Sequence, residues 1–356
     1  MFSENSAKEG AILLKSAIMY TSRPLHFHII CDEAAIAYLE SRLHLLTHPV
    51  HPVVVRFYRL TRQSMADRIS REGSLNTGHA AGYPGLMKLF MHELLPDDVE
   101  KAIFVDTDAF FLTDPALLWE EFSYWGPDIA VSIPYHPNLA IKEWYNASEI
   151  CSCIMLLHFQ KLRSFRLMDS SIYRADTSGL YPPALAPPTF TALFGPPGPN
   201  GYHHVALGDQ SYWWAIVSNR TELFHPLSYD WEVTSCLLDM YNTRLGADGT
   251  TEEEERRAMV HLEDTPYEGK VVLPKLLHFN CLDGDALYYN WPDWSKPEVG
   301  LTIRWKAAVE YHVGFKWLWL NRGRKKFPMD VQVVLNPKFA DERFAEAHPD
   351  KISKSE

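Results

Sequence analysis

Lys101-Ala102-Ile103-Phe104-Val105-Asp106-Thr107-Asp108 is an apolar run that ends on two carboxylates one residue apart. A short apolar run bounded by polar residues reads as a buried strand. In an open α/β sheet, ligands gather outside the carboxyl ends of the strands, so Asp106 and Asp108 stand where they can share one cation. Their oxygens are hard donors, and Mg²⁺ or Mn²⁺ combines one or two carboxylates with phosphate oxygens of a substrate. A nucleoside diphosphate is then the natural bridging ligand. Most D-x-D triplets are only turn or capping pairs; the position after a strand sets this one apart.

Outward from that stretch, the chain alternates in type. Ala109 to Leu112 continues apolar and meets a helix start at Thr113-Asp114-Pro115, with proline at the first helical position. Upstream, Leu86 to Met91 starts a helix that must end before Pro96, preceded by a polar, glycine-dotted loop from Arg68 to Gly82. Near the beginning, Ala7, Ala11, Leu14, Ala17 and Ile18 mark one face of a helix over 7–20, closed by Pro24. A strand over 25–31, a helix over 33–46 and a strand over 53–58 follow, with further strands at 129–133 and 153–158. This is α/β alternation.

Composition bounds the function. The 356 residues are 46% hydrophobic and 22% charged, enough apolar surface for a packed core and against wholesale disorder. Forty-five acidic against 34 basic side chains give a net charge of −11, the wrong sign for a surface that grips nucleic acid. An anionic substrate is still accessible through a metal ion or one placed lysine, because binding answers to local potential. No apolar run approaches the ~20 residues that span a bilayer, so no anchor or signal peptide is evident. Five cysteines without C-x-x-C spacing argue against structural zinc.

The expected organisation is one enlarged domain over 1–322 followed by a charged tail over 323–356 with one apolar patch, Val331 to Leu335. Two segments read as insertions: a proline-rich exposed loop over about 176–205, and an acidic solvated stretch over about 247–269. A phosphatase of the haloacid dehalogenase type would also place an aspartate after a strand. It requires Thr or Val two residues past the second aspartate, where this chain has Phe110, and it uses the first strand.

Pro24-Leu25-His26-Phe27-His28, Gly85-Leu86-Met87-Lys88-Leu89, Phe104-Val105-Asp106-Thr107-Asp108, Asp114-Pro115 with Leu118-Trp119, Gly208-Asp209-Gln210 and His278-Phe279-Asn280 occur in this order. The ordered set, spanning about Ala7 to Trp319, resembles family 8 glycosyltransferases, in particular the xylosyltransferase domain of the LARGE type. The resemblance implies a GT-A (Rossmann-like) fold with a mixed central sheet and flanking helices. It also implies a UDP-sugar donor, Mn²⁺, transfer with retention of configuration to a glycan or glycoprotein acceptor, and a place in the Golgi or secretory-pathway lumen.

Carried over by position, Asp106, Asp108 and His278 would bind the metal, and Lys88, Asp106, Thr107, Asp108 and Asn280 the donor. Asp209 and Gln210 would line the donor sugar as the catalytic pair. Each has a plainer reading: Lys88 as an exposed helical lysine, Asp209 as a helix cap, His278 as a polar core residue. His26 and His28 read as structural, His203-His204 as shaping an acceptor-side loop, and the tryptophans at 213, 214, 231, 291 and 294 as mostly core.

The chain departs from the family pattern in three places. Family members begin with a strand that helps hold uracil and ribose, whereas this chain starts at the following helix, as a truncated gene would. A glycine of the family is replaced by Cys153 in Cys151-Ser152-Cys153, and both cysteines read as small buried hydrophobes. A diphosphate-neutralising lysine is expected after Asn280, where the chain reads Cys281-Leu282-Asp283-Gly284-Asp285. These departures favour, as the rival reading, a catalytically silent glycosyltransferase-like binding protein; a metal-dependent phosphohydrolase is the third.

Overall fold

The computed structural model describes residues 1–235, 251, 253, 267–282 and 284–352. In chain order its elements are α1 (Glu4–Tyr20), β1 (Leu25–Cys31), α2 (Glu33–Leu43), β2 (Val53–Arg59), α3 (Arg62–Glu72), α4 (Gly82–Leu86), α5 (Met91–Leu94), β3 (Lys101–Val105), β4 (Ala109–Phe111) and α6 (Pro115–Glu120). They continue as β5 (Val131–Pro134), β6 (Ile154–His158), α7 (Phe159–Ser164), α8 (Ser171–Ala175), α9 (Ala186–Phe194), α10 (Asp209–Asn219), β7 (Phe224–Leu227), β8 (Val233–Thr234), β9 (Leu276–His278), α11 (Gly300–Gly314), β10 (Asp330–Leu335) and α12 (Ala340–Ala347). The chain divides into two compact units: Met1–Phe57, Val105–Tyr124 and Pro226–Val333 form the first, and Tyr58–Phe104, Trp125–His225 and Val334–Glu356 the second. The acidic stretch expected over 247–269 lies largely outside the described residues.

In the first unit, strands pair in the orders β1-β2-β10 and β4-β9-β8. Helix α1 opens with a Ser3/Ser6 capping box, which satisfies orphan N–H groups of its first turn. Its predicted face (Ala7, Ala11, Leu14, Ala17, Ile18) is buried, and so are Lys15 and Ser16 on the other sides. Ser16 accepts the Phe111 N–H at 3.0 Å, which ties α1 to β4. Lys15 donates to the carbonyls of Val313 (3.2 Å) and Phe315 (2.6 Å), and burial, reinforced by the Lys316 charge, pushes its ammonium down to about 8. Val53, Val55 and Phe57 of β2 meet Ala35 and Leu39 of α2 in this core.

In the second unit the sheet order is β3-β6-β5-β7, with β5 and β6 antiparallel. Strand β3 is half-buried rather than fully buried, as befits a strand at the end of its sheet. Two expectations are corrected here. The loop expected from Arg68 is helical as far as Glu72, because Thr61 and Ser64 form a capping box and Met65 and Ile69 are buried; the helix stops at Gly73, with φ of 88°. The proline-rich segment contains α9, whose prolines sit in the first turn where a missing N–H costs nothing, and whose Phe190 packs against Tyr202 and Tyr212. The residues of the charged tail form β10 and α12, and Asp341 of α12 is fully buried against Arg71 at 2.8 Å.

Arg68 crosses the interior of this unit. It donates to both Glu93 oxygens at 2.8 Å and to the Asp169 carbonyl, and lies 3.4 Å from Glu72. Glu93 holds the bidentate pairing, so Glu72 receives the weaker contact and burial dominates, pushing its carboxyl up to about 8. His92 is pushed the opposite way, to about 3, by burial and the neighbouring Arg163 and Arg68 charges. A carboxyl raised in the folded chain binds a proton there that the unfolded chain has released. Its contribution is therefore complete below the ordinary Glu range and is lost as pH rises to about 8. The His92 contribution is lost only as pH falls below the ordinary His range of about 6.5. Glu72→Gln should therefore flatten the fall in thermal stability between about pH 6.5 and 8, read by melting both proteins across that window. Parallel curves for the two proteins would contradict the assignment.

Candidate functional site

The sequence places Asp106-Thr107-Asp108 directly after β3 and directly before β4. Strand β4 pairs antiparallel with β9 in a register that sets Ala109 opposite His278, and the Phe279 N–H donates to the Asp108 carbonyl at 2.9 Å. On the other edge β8 runs parallel to β9, with Thr234 opposite His278 and the Ser235 N–H donating to the His278 carbonyl at 2.8 Å. Backbone pairing on both sides therefore carries His278, 170 positions downstream, to the aspartate pair. Ligand atoms of Asp106, Asp108 and His278 all lie within 4.8 Å of one another.

That spacing fits one ion. Octahedral ligands at about 2.1 Å from a small divalent cation lie about 3 to 4.2 Å apart. The His278 Nε2 to Asp108 Oδ1 separation of 3.5 Å falls inside this range. Two carboxylates and one imidazole are the donor set that suits Mn²⁺ and similar ions. Asp108 is 30% exposed, while His278 is 3% exposed, so the carboxylate faces outward and the imidazole supports it from below.

One residue that sequence reading missed completes this cluster. Glu232, fully buried, lies with its Oε1 3.3 Å from Nδ1 of His278. A carboxylate on one ring nitrogen holds that nitrogen protonated and leaves the other, Nε2, as the lone-pair donor toward Asp108. The signal was an acidic residue inside the apolar run Trp231-Glu232-Val233, which has no expression in linear spacing. Next to these strands, Phe279 stacks on Tyr288 (4.6 Å, 5°) and Phe110 of β4 on His312 (4.2 Å, 21°). Glu9 of α1 accepts the Tyr288 N–H at 3.1 Å. Burial pushes its carboxyl up to about 7, with the Tyr288 N–H opposing and the Asp108 charge adding to the rise.

Lys88, Asp209 and Gln210 belong to the second unit. Lys88 is not an ordinary exposed lysine: 12% exposed, it lies 3.4 Å from Asp209, donates to the Ser152 carbonyl at 3.2 Å and sits over the Phe104 ring. Asp209 does not cap its helix either. Its Oδ2 accepts the Ser152 hydroxyl at 2.7 Å instead. Two glycines make this arrangement possible. Gly208, at φ 57° and ψ −129°, takes a backbone conformation that side chains resist, and a Cβ on Gly85 would stand 3.2 Å from Asp209 Oδ1. Gln210 donates to the Ala147 carbonyl at 2.9 Å. Ser152, the link between Lys88 and Asp209, lies between the two cysteines that depart from the family pattern.

Other expectations resolve more simply. Asn280 is exposed in the turn after β9. The rings of His26 and His28 stack at 4.2 Å on β1. Cys151 and Cys153 are buried and form no disulfide, and Trp213, Trp231, Trp291 and Trp294 are buried. Asp283 lies outside the described residues. His203 and His204 help line a cavity of about 390 Å³ in the second unit, together with Asn76, Trp144 and Tyr202.

No family model matches the chain. The zebrafish (Danio rerio) xylosyl- and glucuronyltransferase LARGE1 is 40% identical over 119 residues, 33% of this chain and 15% of that protein. Rat (Rattus norvegicus) xylosyl- and glucuronyltransferase LARGE2 is 27% identical over 243 residues, 64% of this chain and 31% of that protein. The chain thus spans less than a third of the length of these relatives. Among solved structures, apo mouse xyloside xylosyltransferase 1 aligns with a TM-score of 0.52 at 16% identity, covering 79% of this chain and 94% of that one. The galactosyltransferase LgtC in complex with donor and acceptor sugar analogues aligns with a TM-score of 0.50 at 14% identity, covering 88% and 94%. The chain has the GT-A glycosyltransferase fold and resembles, within that fold, the LARGE-type members of family 8.

Proposed function

We propose that this chain is a retaining glycosyltransferase that takes a UDP-sugar with Mn²⁺ and passes the sugar to a glycan or glycoprotein acceptor. The observation that carries the reading is the convergence of Asp106, Asp108 and His278 within 4.8 Å. A divalent ion held there supplies Lewis-acid stabilisation of the departing diphosphate, a contribution of several kcal/mol. Asp106 and Asp108 would hold such an ion from the turn after β3, with Glu232 holding His278 in the tautomer that presents Nε2. Thr107 and Asn280, beside these ligands in sequence, would contact the donor.

In the second unit, Lys88, paired with Asp209 at 3.4 Å, brings a cation for donor oxygens. Ser152 fixes the direction of the Asp209 carboxylate, which steadies the sugar as positive charge develops at its anomeric carbon. Gln210 positions the sugar beside it. No strong external base is required if the leaving phosphate accepts the acceptor proton.

Calorimetry tests the reading without relying on turnover. Mn²⁺ should bind, UDP should bind more tightly with Mn²⁺ present, and Glu232→Gln should weaken Mn²⁺ about ten-fold or more while the fold is retained. Hydrolysis of UDP-xylose, UDP-glucose, UDP-galactose and UDP-glucuronic acid would then name the donor. Absence of UDP binding at millimolar ligand with Mn²⁺ would contradict the reading.

A further inference from the structure

The segment after α11 has a composition unlike the rest of the chain. Residues 316–326 read Lys-Trp-Leu-Trp-Leu-Asn-Arg-Gly-Arg-Lys-Lys, five cations and no acid in a protein of net charge −11. Its first part is a tight helical turn, Trp317–Leu320, anchored at both ends: Trp317 and Leu320 are buried in the core of the first unit. The two residues between them point out. Leu318 is 61% exposed and Trp319 57% exposed, and Phe315 meets the Trp319 ring edge to face at 5.4 Å. An apolar pair held outward by anchors on either side is a built protrusion, not a frayed end.

A second loop lies against it. The Asn321 side-chain oxygen accepts the N–H groups of Thr47 and His48, both at 2.7 Å, and its amide donates to the Leu45 carbonyl at 2.8 Å. The Gly323 N–H donates to the His48 carbonyl at 2.8 Å. Residues 44–51 also carry no acid, and Leu45 and Val50 are exposed on them. The side chains of Lys316, Arg322, Arg324, Lys325 and Lys326 are exposed around this pair of loops. The result is a pinned surface of apolar tips with cations on its flanks.

We propose that this surface docks the first unit onto an anionic lipid bilayer. Tryptophan is favoured at the membrane interface, and each Lys or Arg near a negatively charged surface strengthens attachment. The apolar tips decide between a bilayer and a soluble polyanion, since a polyanion would meet the cations and leave Leu318 and Trp319 in water. No described helix is long and apolar enough to cross a membrane, so the contact would be peripheral.

The test is co-sedimentation of the whole chain with sonicated vesicles of phosphatidylcholine alone and with about one third phosphatidylserine. Binding is expected to the mixed vesicles and at least about ten-fold more weakly to the neutral ones. Lys325→Glu with Lys326→Glu should weaken binding about twenty-fold or more, and Leu318→Ser with Trp319→Ser about ten-fold. Metal and UDP binding should be unchanged in both variants, which shows that they are folded. Three results would overturn the proposal: no binding to the anionic vesicles, binding indifferent to both double variants, or loss with the charge variant alone, which would point to a polyanion.

Discussion

Asp108→Asn should lower UDP-sugar turnover by about a thousand-fold or more, equivalent to about 4 kcal/mol of transition-state stabilisation. The magnitude follows from the geometry. Asn keeps the shape of the side chain and one oxygen, but it withdraws a full negative charge from a site with two carboxylates and one neutral imidazole. The ion is then held less tightly and set less accurately against the leaving diphosphate. Asp108 is partly exposed, and its backbone carbonyl, not its side chain, takes part in the sheet pairing with Phe279. The variant should therefore melt within a degree or two of the parent, which separates a lost site from a lost fold. The measurements are UDP release with saturating Mn²⁺, a Mn²⁺ titration by calorimetry and a melting curve. Turnover at the parental rate with unchanged Mn²⁺ affinity would remove the metal centre from the account.

Arg68→Met should cost about 3–5 kcal/mol, because it removes one partner of a buried ion network and leaves the other charges unpaired. Four carboxylates, those of Glu93, Glu72, Asp341 and Asp169, belong to that network directly or through Arg71 and Arg174. The guanidinium also lies 4.2 Å over the Phe90 ring, a contact that methionine keeps in part. The loss should shrink near pH 5, where the stranded Glu93 takes up a proton more readily; Glu72, already raised to about 8, adds little to the change. Combining Arg68→Met with Glu93→Leu should recover part of it, since an apolar pair of similar volume replaces the ionic one. Denaturant midpoints of the single and double variants at pH 5 and 7.5 check both statements, and a double variant no more stable than the single would contradict them.

Much of the candidate site was legible before folding was considered. Asp106 and Asp108 were visible because a strand ending on two carboxylates is a local pattern, and helix α1 was visible because its apolar residues recur on one face. Errors fell where a local rule was read too broadly. Prolines over 176–205 were read as a loop, although Pro187 and Pro188 occupy the one helical turn that accepts them. Arg68 to Glu72 were read as loop because the stretch to Gly82 is polar and dotted with glycine, whereas they are helical, with the Arg68 charge buried against Glu93 and Glu72. Glu232 had no linear signal, since its meaning depends on His278, 46 positions away.

Residue order alone settled α1, β1, α2, β2 and β3 and where two carboxylates stand together, because these follow from neighbours a few positions apart. The family resemblance named His278 as their partner; tertiary structure alone decided that Glu232 stands behind its ring and that Lys88 and Asp209 share Ser152. The physical reason is register: pairing β9 between β4 and β8 brings together side chains whose spacing along the chain carries no periodic trace.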